Sequence, residues 1–474
     1  MSMIHARAAP SALRFITLLA SVALVTFTSA QPLPQPLNRP LSFSIDWQSP
    51  PVGMLDTCFN FPITEGDILA PAFFGPPLPG PAPLPCIQIS GGFGPPMPGL
   101  ALPTHPAGVG HPPGVPARIE VDAFSFGMDQ VPTVANPNNT YVEWYFSVDE
   151  FATGIMGTLL PPAVWTESWL GGPAEASADI FVDFGVPGFL PAPMIAPRGN
   201  HDLVDGNGMP PFGGPGLGLF EPNPPTPQLP ADPGTNIDAI DIDSPVGPGI
   251  PFPVYYSLDS AFPDTLEGFP NSGTAAALGF AGGDVLICRG PGAPPMLYAP
   301  AVMLGLDMFG PDTDDLDALV LWENGTGVYE PPLGPFSWRG GQTDAVFFSI
   351  RRDSAMIKFG ARDSRWGMPI EEGDILMPPP QPGMPPMMWI PAEVLGLATV
   401  RSGTAVEPYG DDLDALDVAC RIPGDLDRDG DVDITDLAIL LAAYGSTAGG
   451  DLNGDGVTDL TDLAMLLSQF GLIC

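Results

Sequence analysis

Two aspartate-rich segments close to the C-terminus place acidic side chains at regular intervals within twelve residues. Each has oxygen-bearing side chains at loop positions 1, 3, 5, 9 and 12 and a glycine at position 6, where the chain must turn sharply. Calcium is a hard cation that takes about six to eight oxygen ligands, so short loops dense in carboxylates suit it. The spacing predicts two Ca²⁺ sites. Their expected ligands are Asp425, Asp427, Asp429, Asp431, Asp433 and Asp436 in the first loop, and Asp451, Asn453, Asp455, Val457, Asp459 and Asp462 in the second, with position 7 giving its backbone carbonyl.

A short amphipathic helix is predicted after each loop. Apolar residues recur at helical spacing, first at Leu437, Leu440, Leu441 and Tyr444, then at Leu463, Leu466, Leu467 and Phe470. A standard EF-hand has Glu at position 12 and a helix before the loop, whereas here position 12 is Asp and Pro-Gly or Gly-Gly precedes the loops. One loop and one helix are too small to bury an apolar stripe, so we expect the two helices to pack on each other. The alternative, a solvated acidic turn, is disfavoured because the pattern occurs twice in register.

This duplicated loop–helix pattern in residues 420–474 resembles the dockerin domain, a calcium-dependent module that docks onto cohesin modules in cellulosomes. The resemblance implies a small α-helical domain that binds two Ca²⁺ and a cohesin-like or cell-surface protein partner. In that family, loop positions 10 and 11 and a basic pair on the helix contact the cohesin. Here those loop positions are Ile434-Thr435 and Leu460-Thr461, and no Lys or Arg follows on either helix, so only the calcium chemistry is expected to carry over. Because dockerin ends lie close together, the resemblance also implies a disulfide between Cys420 and Cys474.

The N-terminus and the overall charge indicate an exported protein. Residues 1–30 have the positive start, apolar core and small-residue cleavage site of a secretory signal peptide. No later stretch approaches the ~18 apolar residues of a spanning helix, so we expect a secreted or cell-surface protein without a transmembrane anchor. The formal net charge of −39 excludes nucleic acid as a partner, because nucleic-acid binding depends on basic contacts to phosphate. Divalent cations are the natural counter-ions.

Residues 31–419 contain four repeat units, which start near residues 43, 146, 256 and 348. An aromatic-Ser segment opens each unit: "SFSIDW", "YFSVDE", "YYSLDS" and "FFSIRR". An aspartate-led apolar run follows ("EGDIL", "SADIF", "GGDVL", "EGDIL"), and a third signature closes the unit ("IEVDAFSF", "NIDAIDID", "DDLDALVL", "DDLDALDV"). Short aromatic and β-branched segments bounded by Gly and Pro are typical of strands. We therefore predict an all-β region, either a four-bladed β-propeller or two β-sandwich lobes of two units each. It resembles the repeat regions of secreted planctomycete-type proteins that end in dockerin-like tails, a resemblance that implies no activity.

The repeated aspartates admit two interpretations. An Asp at the start or end of a strand in every unit usually ties a turn through backbone hydrogen bonds; the alternative is a set of further calcium sites, which "DTDDLD" (312–317) and "DLVDGNG" (202–208) favour. These residues are Asp67, Asp179, Asp284 and Asp374 in the second signature, and Asp122, Asp238, Asp317 and Asp414 in the third.

No catalytic motif is recognised, so the catalytic residues stay unknown. Glycoside hydrolysis needs two suitably placed carboxylates. Glu323, in "LWENGTG", is placed at the end of a predicted strand, as some glycosidase nucleophiles are. A hairpin turn accounts for this position better. The sequence thus favours a secreted, non-catalytic binding or display scaffold with a calcium-dependent attachment tail and a glycan ligand; the alternative is a polysaccharide-degrading glycoside hydrolase. Cys58 and Cys86 are expected to be able to pair, leaving Cys288 as a buried thiol.

Overall fold

The computed structural model describes most of the repeat region and parts of the tail. The described residues are 41–72, 82–92, 99–102, 119–125, 143–149, 152–156, 162–168, 171–172, 175–184, 200–208, 214–220, 235–242, 252–259, 273–324, 326–334, 337–340, 343–405, 409–418, 424, 426, 432–445, 450, 452 and 457–470.

Sixteen short strands in the described residues form four antiparallel sheets of four strands each. Blade 1 contains β1 (Leu41–Phe43), β2 (Ile68–Ala70), β3 (Cys86–Ile89) and β16 (Leu416–Val418). Blade 2 contains β4 (Ala123–Ser125), β5 (Glu143–Ser147), β6 (Ile180–Phe184) and β7 (Asn200–Val204). Blade 3 contains β8 (Ala239–Ile242), β9 (Val254–Ser257), β10 (Val285–Cys288) and β11 (Met296–Ala299). Blade 4 contains β12 (Leu316–Trp322), β13 (Ala345–Ile350), β14 (Ile375–Met377) and β15 (Met387–Ile390).

The sheets are arranged as a four-bladed β-propeller. The innermost strands β4, β8, β12 and β16 contact one another in a ring around a central axis. The ring is closed by the two ends of the repeat region, because β16 pairs with β1, with Leu41 opposite Val418 and Phe43 opposite Leu416. The alternative of two sandwich lobes is therefore wrong, since the sheets follow one another around one axis.

The blades are one strand out of phase with the sequence units. The aromatic-Ser segments form the second strand of every sheet, and the aspartate-led runs form the third. The third signature does not close its own unit; it forms the innermost strand of the next blade, and the last copy returns to blade 1. This phase shift ties each unit to its neighbour, and only the closed ring reveals it.

Four apolar clusters lie between neighbouring blades. Phe43 and Phe347 belong to the cluster between blades 1 and 4. The other clusters lie between blades 1 and 2, blades 2 and 3, and blades 3 and 4. Both faces of a sheet are thus covered, which explains why the serines of the aromatic-Ser segments are buried although they alternate with apolar residues.

Short helices connect some of the strands. They are α1 (Val164–Glu167), α2 (Gly273–Leu278), α3 (Ala301–Leu304), α4 (Ala355–Lys358) and α5 (Ala392–Leu395), together with 3₁₀ turns at Ala176–Ala178 and Ser337–Gly340. Helices α3 and α5 end at Gly305 and Gly396, whose φ angles of 87° and 89° are left-handed. A Cβ atom at Gly396 would also lie 2.3 Å from the carbonyl oxygen of Pro83 in blade 1, so the "LGL" sequence there fits a close contact between blades.

The tail forms two ten-residue helices, α6 (Ile434–Ala443) and α7 (Leu460–Gln469). They pack on each other through Leu440 and Leu466, as the apolar spacing predicts. Part of each predicted stripe stays exposed, because the pair is too small to cover it; these exposed residues are Leu441, Tyr444, Leu467 and Phe470.

Candidate metal centres

The propeller axis is lined by acidic side chains from all four blades. Each third signature contains the dipeptide Asp-Ala at or just before the innermost strand, and the polar residue two places earlier is buried as well. The ring of innermost strands brings these positions together. The Asp-Ala residues are Asp122, Asp238, Asp317 and Asp414, and the residues two places earlier are Glu120, Asn236, Asp315 and Asp412.

In the part of the chain that the structure describes, two groups of three carboxylates converge across blade boundaries. The first, which we call the Asp317 triad, consists of Asp317 from blade 4 and Asp412 and Asp414 from blade 1. One oxygen of each carboxylate lies within 4.8 Å of the others. The second, the Asp238 triad, consists of Asp238, Asp259 and Asp315 and meets the same distance criterion between blades 3 and 4.

An arginine occupies one triad. The residue two places after the repeated serine of the aromatic-Ser segment is Asp46, Asp149 and Asp259 in the first three blades, but Arg351 in the fourth. Its Nη1 lies 2.7 Å from Asp259 Oδ2 and 3.9 Å from Asp315 Oδ2. The Asp238 triad therefore contains a guanidinium that offsets its charge.

The Asp317 triad is arranged differently. The neighbouring Arg352 pairs with Asp46, with 2.6 Å between Nη1 and Oδ2, and its Nε lies 3.8 Å from Asp412 Oδ2. The backbone N–H of Arg352 also donates to Asp412 Oδ2 at 3.0 Å. These contacts use Oδ2 of Asp412 and leave its Oδ1, together with Asp317 Oδ2 and Asp414 Oδ2, buried without a hydrogen-bond partner in the structure.

Burial and mutual repulsion raise the pKa values of these carboxyls. Burial is the largest cause for Asp317, whose pKa lies well above its usual range; Asp412 and Asp238 raise the pKa further, and Arg351 opposes them. Burial, then Asp317, raises the pKa of Asp414 well above its usual range. Burial raises the pKa of Asp412 to about 6 against the opposing charge of Arg352. Ionising all three carboxyls is therefore costly, and a positive charge between them would lower that cost.

The aspartates of the second signature tie turns. Asp284 accepts hydrogen bonds from Ala281 N at 2.9 Å and from Ala301 N, beyond the outermost strand, at 2.8 Å. Equivalent bonds join Asp67 to Thr64 and Gly91, Asp374 to Glu371 and Ala392, and Asp179 to Gly206. The turn interpretation is thus confirmed for these four residues.

Aspartates in the two acidic segments singled out as possible further calcium loops also accept hydrogen bonds from backbone N–H groups. In "DTDDLD", Asp314 accepts from the backbone N–H groups of Asp307 and Met356, and Asp312 accepts from that of Gly282. In "DLVDGNG", Asp205 accepts from the N–H of Gly208, which has a φ of 70°. No residue of "DLVDGNG" belongs to a group of acidic side chains that could hold a metal ion in the described part of the chain, whereas Asp315 and Asp317 of "DTDDLD" belong to the Asp238 and Asp317 triads.

In the tail, the two position-12 residues make the same contacts. Asp436 accepts hydrogen bonds from the N–H groups of Leu426 and Asp433, and Asp462 accepts from those of Leu452 and Asp459. Both carboxylates are fully buried and join loop position 2 to position 9. Each carboxylate oxygen keeps a second lone pair that can face a cation. Asp433 and Asp459 cap α6 and α7, and Val457 is exposed.

Several predicted residues lie outside the described residues, so their calls stay predictions. These are the signal segment 1–30, the loop ligands Asp425, Asp427, Asp429, Asp431, Asp451, Asn453 and Asp455, and the cysteines Cys420 and Cys474.

The remaining candidates have structural contacts. Glu323 accepts a hydrogen bond from Gly327 N, as expected for a turn. Cys58 and Cys86 form a disulfide, and Cys288 is a buried thiol.

Sequence reasoning missed how the axial residues cooperate. The sequence contains the signal for these residues, namely a polar residue two places before each Asp-Ala and an Arg at position 351 where the other units have Asp. That these side chains meet at the axis depends on the phase shift between units and blades, which the sequence pattern does not show.

The fold and its axis define a four-bladed β-propeller with an acidic centre. Comparisons with protein-family models, curated proteins and solved structures found no match. Within the described residues, no helix is long and apolar enough to cross a membrane.

Proposed function

We propose that this chain is an exported, non-catalytic propeller scaffold that is attached to a protein partner through a calcium-dependent dockerin-like tail. The observation that carries the proposal is the equivalence of the two loop–helix units. The same carboxylate position closes both loops, and the same loop position, Ile434 or Leu460, presents an apolar side chain that is about two-thirds exposed.

Calcium links these two features. Each loop concentrates carboxylates that repel one another until a cation offsets their charge. Metal binding then fixes the loop and the helix behind it, so that the binding free energy contributes to folding. The ordered pair presents two matching apolar patches, as expected for docking onto a cohesin-like or cell-surface protein.

The propeller supports a display role. Its blades are closed into a ring and buried on both faces, which gives a rigid platform. The axial carboxylates are too deeply buried for a polysaccharide to reach them, since Asp317, Asp412 and Asp414 are only 3–7% exposed. A glycan would therefore bind to the outer surface of the blades.

Retention on the producing cells tests the attachment. The full chain, fused to a reporter, is expected to stay cell-associated with calcium and to be released by a chelator. Ile434→Ser with Leu460→Ser should reduce the retained fraction at least fivefold. Leu333→Ser is a matched control, because this side chain is 77% exposed on the propeller. Equal retention of both variants would refute a docking role for the tail.

Glycoside hydrolysis is the second candidate, and one group in blade 2 favours it. Burial raises the pKa of Glu167 to about 7 and, together with Asp205 and Glu167, raises that of Asp202 to about 8. A general acid in glycoside hydrolysis needs such a raised pKa. A hydrolysis assay run alongside a glycan array should show glycan binding without turnover; turnover that is lost in Glu167→Gln would favour the enzyme instead.

A further inference from the structure

We propose that the propeller axis binds one divalent cation of the calcium type between Asp317, Asp412 and Asp414. This site is separate from the two tail loops and does not depend on the proposed attachment function. It would join blade 4 to blade 1 beside the strand pair that closes the ring.

Each member of the Asp317 triad has one buried oxygen without a hydrogen-bond partner in the structure, and one oxygen of each carboxylate lies within 4.8 Å of the others. The buried oxygens without a partner are Asp317 Oδ2, Asp412 Oδ1 and Asp414 Oδ2. The three residues are 3–7% exposed, so bulk water offers little compensation. Ionised carboxylates can only accept hydrogen bonds and so cannot satisfy one another; the hydrogen bond between the Asp317 and Asp412 side chains needs a proton on Asp317 or Asp412. A bound cation would remove both the repulsion and the missing contacts.

The Asp238 triad provides an internal comparison. It has the same number of carboxylates within the same 4.8 Å limit, and Asp238 Oδ2 is likewise buried without a hydrogen-bond partner, but Arg351 Nη1 lies 2.7 Å from Asp259 Oδ2. The chain supplies a cation there by placing Arg where the other three units have Asp. At the Asp317 triad, Arg352 contacts the opposite oxygen of Asp412. Arg351 and Arg352 partly offset the charge of Asp317 and Asp412, and a diffusible cation between the three carboxylates would supply further positive charge.

The ligand set indicates the class of cation. All three groups are carboxylates, hard oxygen donors that suit Ca²⁺ and Mg²⁺ rather than Zn²⁺ or Cu²⁺. Ca²⁺ accepts a larger and less regular set of oxygen ligands than Mg²⁺, which demands a near-ideal octahedron, so we assign Ca²⁺ to this site. Water or backbone carbonyls would complete the coordination.

Calcium counting on the full chain tests the site. After equilibration with Ca²⁺ and removal of excess metal, the unsubstituted chain should retain three Ca²⁺, two in the tail and one in the axis. Asp436→Ala with Asp462→Ala should leave one. Adding Asp414→Asn or Asp317→Asn to that background should remove it, with at least a tenfold loss of affinity.

Asp238→Asn in the same background is the matched control, because it changes the equivalent Asp-Ala residue in the triad that holds Arg351; the axial Ca²⁺ should remain. A count of zero in the tail-substituted chain, measured before any axial residue is changed, overturns the proposal and means that protons neutralise the triad. Equal loss in Asp238→Asn also overturns the assignment. Failure of the tail proposal alone gives a count of one with or without the tail substitutions, so the two failures are distinguishable.

Discussion

Ser349, in the second strand of blade 4, donates its hydroxyl to the carbonyl oxygen of Leu413 in blade 1 at 2.7 Å. Leu413 directly precedes the Asp-Ala dipeptide of its blade, so this bond joins the aromatic-Ser segment of one blade to the axial segment of the next. The bond recurs at every blade boundary: Ser44 to Val121, Ser147 to Ile237 and Ser257 to Leu316. The repeated serine therefore joins the ring and positions the axial aspartates.

Ser349→Ala should destabilise the propeller by roughly 1–3 kcal/mol, because the buried carbonyl of Leu413 loses a hydrogen-bond donor. The urea midpoint of unfolding, followed by tryptophan fluorescence, measures the change. Ser364→Ala is the control, since the buried Ser364 hydroxyl has no hydrogen-bond partner in the structure. Equal midpoints for both variants would show that the bond between blades contributes nothing.

The sequence predicted the number of repeats and the strand character of their segments, because both depend on local patterns. It did not predict the phase of the blades. The pairing of Leu41 with Val418 joins residues from opposite ends of the repeat region, and no local pattern contains that information. The buried serines were equally hidden, because alternation ordinarily indicates one exposed face, whereas here a neighbouring blade covers each face.

The candidate site was predictable in composition and not in geometry. The turn-tying role of Asp284 follows from its place at the start of a strand. Asp317 occupies an equally repetitive sequence position, yet one of its oxygens lies within 4.8 Å of oxygens of Asp412 and Asp414 in another blade. The difference arises from the closure of the ring, a tertiary contact that overrides the local resemblance between the two kinds of aspartate.

Asp202 should make the propeller less stable as the pH rises. Its folded-state pKa of about 8 lies above the ordinary value of 3.8. The folded state therefore binds more protons between these values, and the stability present below about pH 4 is lost as the pH rises through 8. Asp202→Asn, which stays neutral, should lose less stability than the unsubstituted chain between pH 5 and pH 8.5, by a difference on the order of a few kcal/mol.

Thermal unfolding midpoints at both pH values measure that difference. Glu393→Gln is the control, because the pKa of Glu393 is shifted in the opposite direction. Burial raises this pKa, but side-chain hydrogen bonds and the charge of Arg401 outweigh burial and lower it. Glu393 contributes its full stabilisation at pH values above its ordinary pKa. The destabilisation caused by Glu393→Gln should therefore be the same at pH 5 and pH 8.5. A pH dependence in Asp202→Asn equal to that of the unsubstituted chain would contradict the assignment.

Calcium should fold the tail. Residues 421–474 contain two small apolar stripes and many acids, and so few residues rarely sustain a core unaided. Circular dichroism of this segment should show low helicity in chelator and a large gain with Ca²⁺. Asp425→Ala with Asp436→Ala should abolish the gain in both helices, because α6 and α7 share the Leu440–Leu466 contact. Thr435→Ala, which keeps every carboxylate, is the control; equal helicity with and without metal would refute calcium-coupled folding.

Arg351→Ala should convert the Asp238 triad into a metal-dependent group. The guanidinium of Arg351 is the cation that contacts Asp259 and Asp315, and its side chain is mostly buried. Its removal leaves buried carboxylates without their ion pair, a change that costs roughly 3–5 kcal/mol. In chelator, the thermal unfolding midpoint should therefore fall well below that of the unsubstituted chain. Without Arg351, the Asp238 triad resembles the Asp317 triad. Ca²⁺ should therefore restore at least half of the decrease in the unfolding midpoint and add one Ca²⁺ to the retained count.

Lys358→Ala is the control. It removes a cation whose side chain is 50% exposed beside Asp353, a surface pair worth at most about 1 kcal/mol. The unfolding midpoint of Lys358→Ala should hardly differ from that of the unsubstituted chain, with or without metal. If Ca²⁺ shifts the midpoint of Arg351→Ala no more than that of the unsubstituted chain, then Arg351 does not stand in for a metal at the propeller axis.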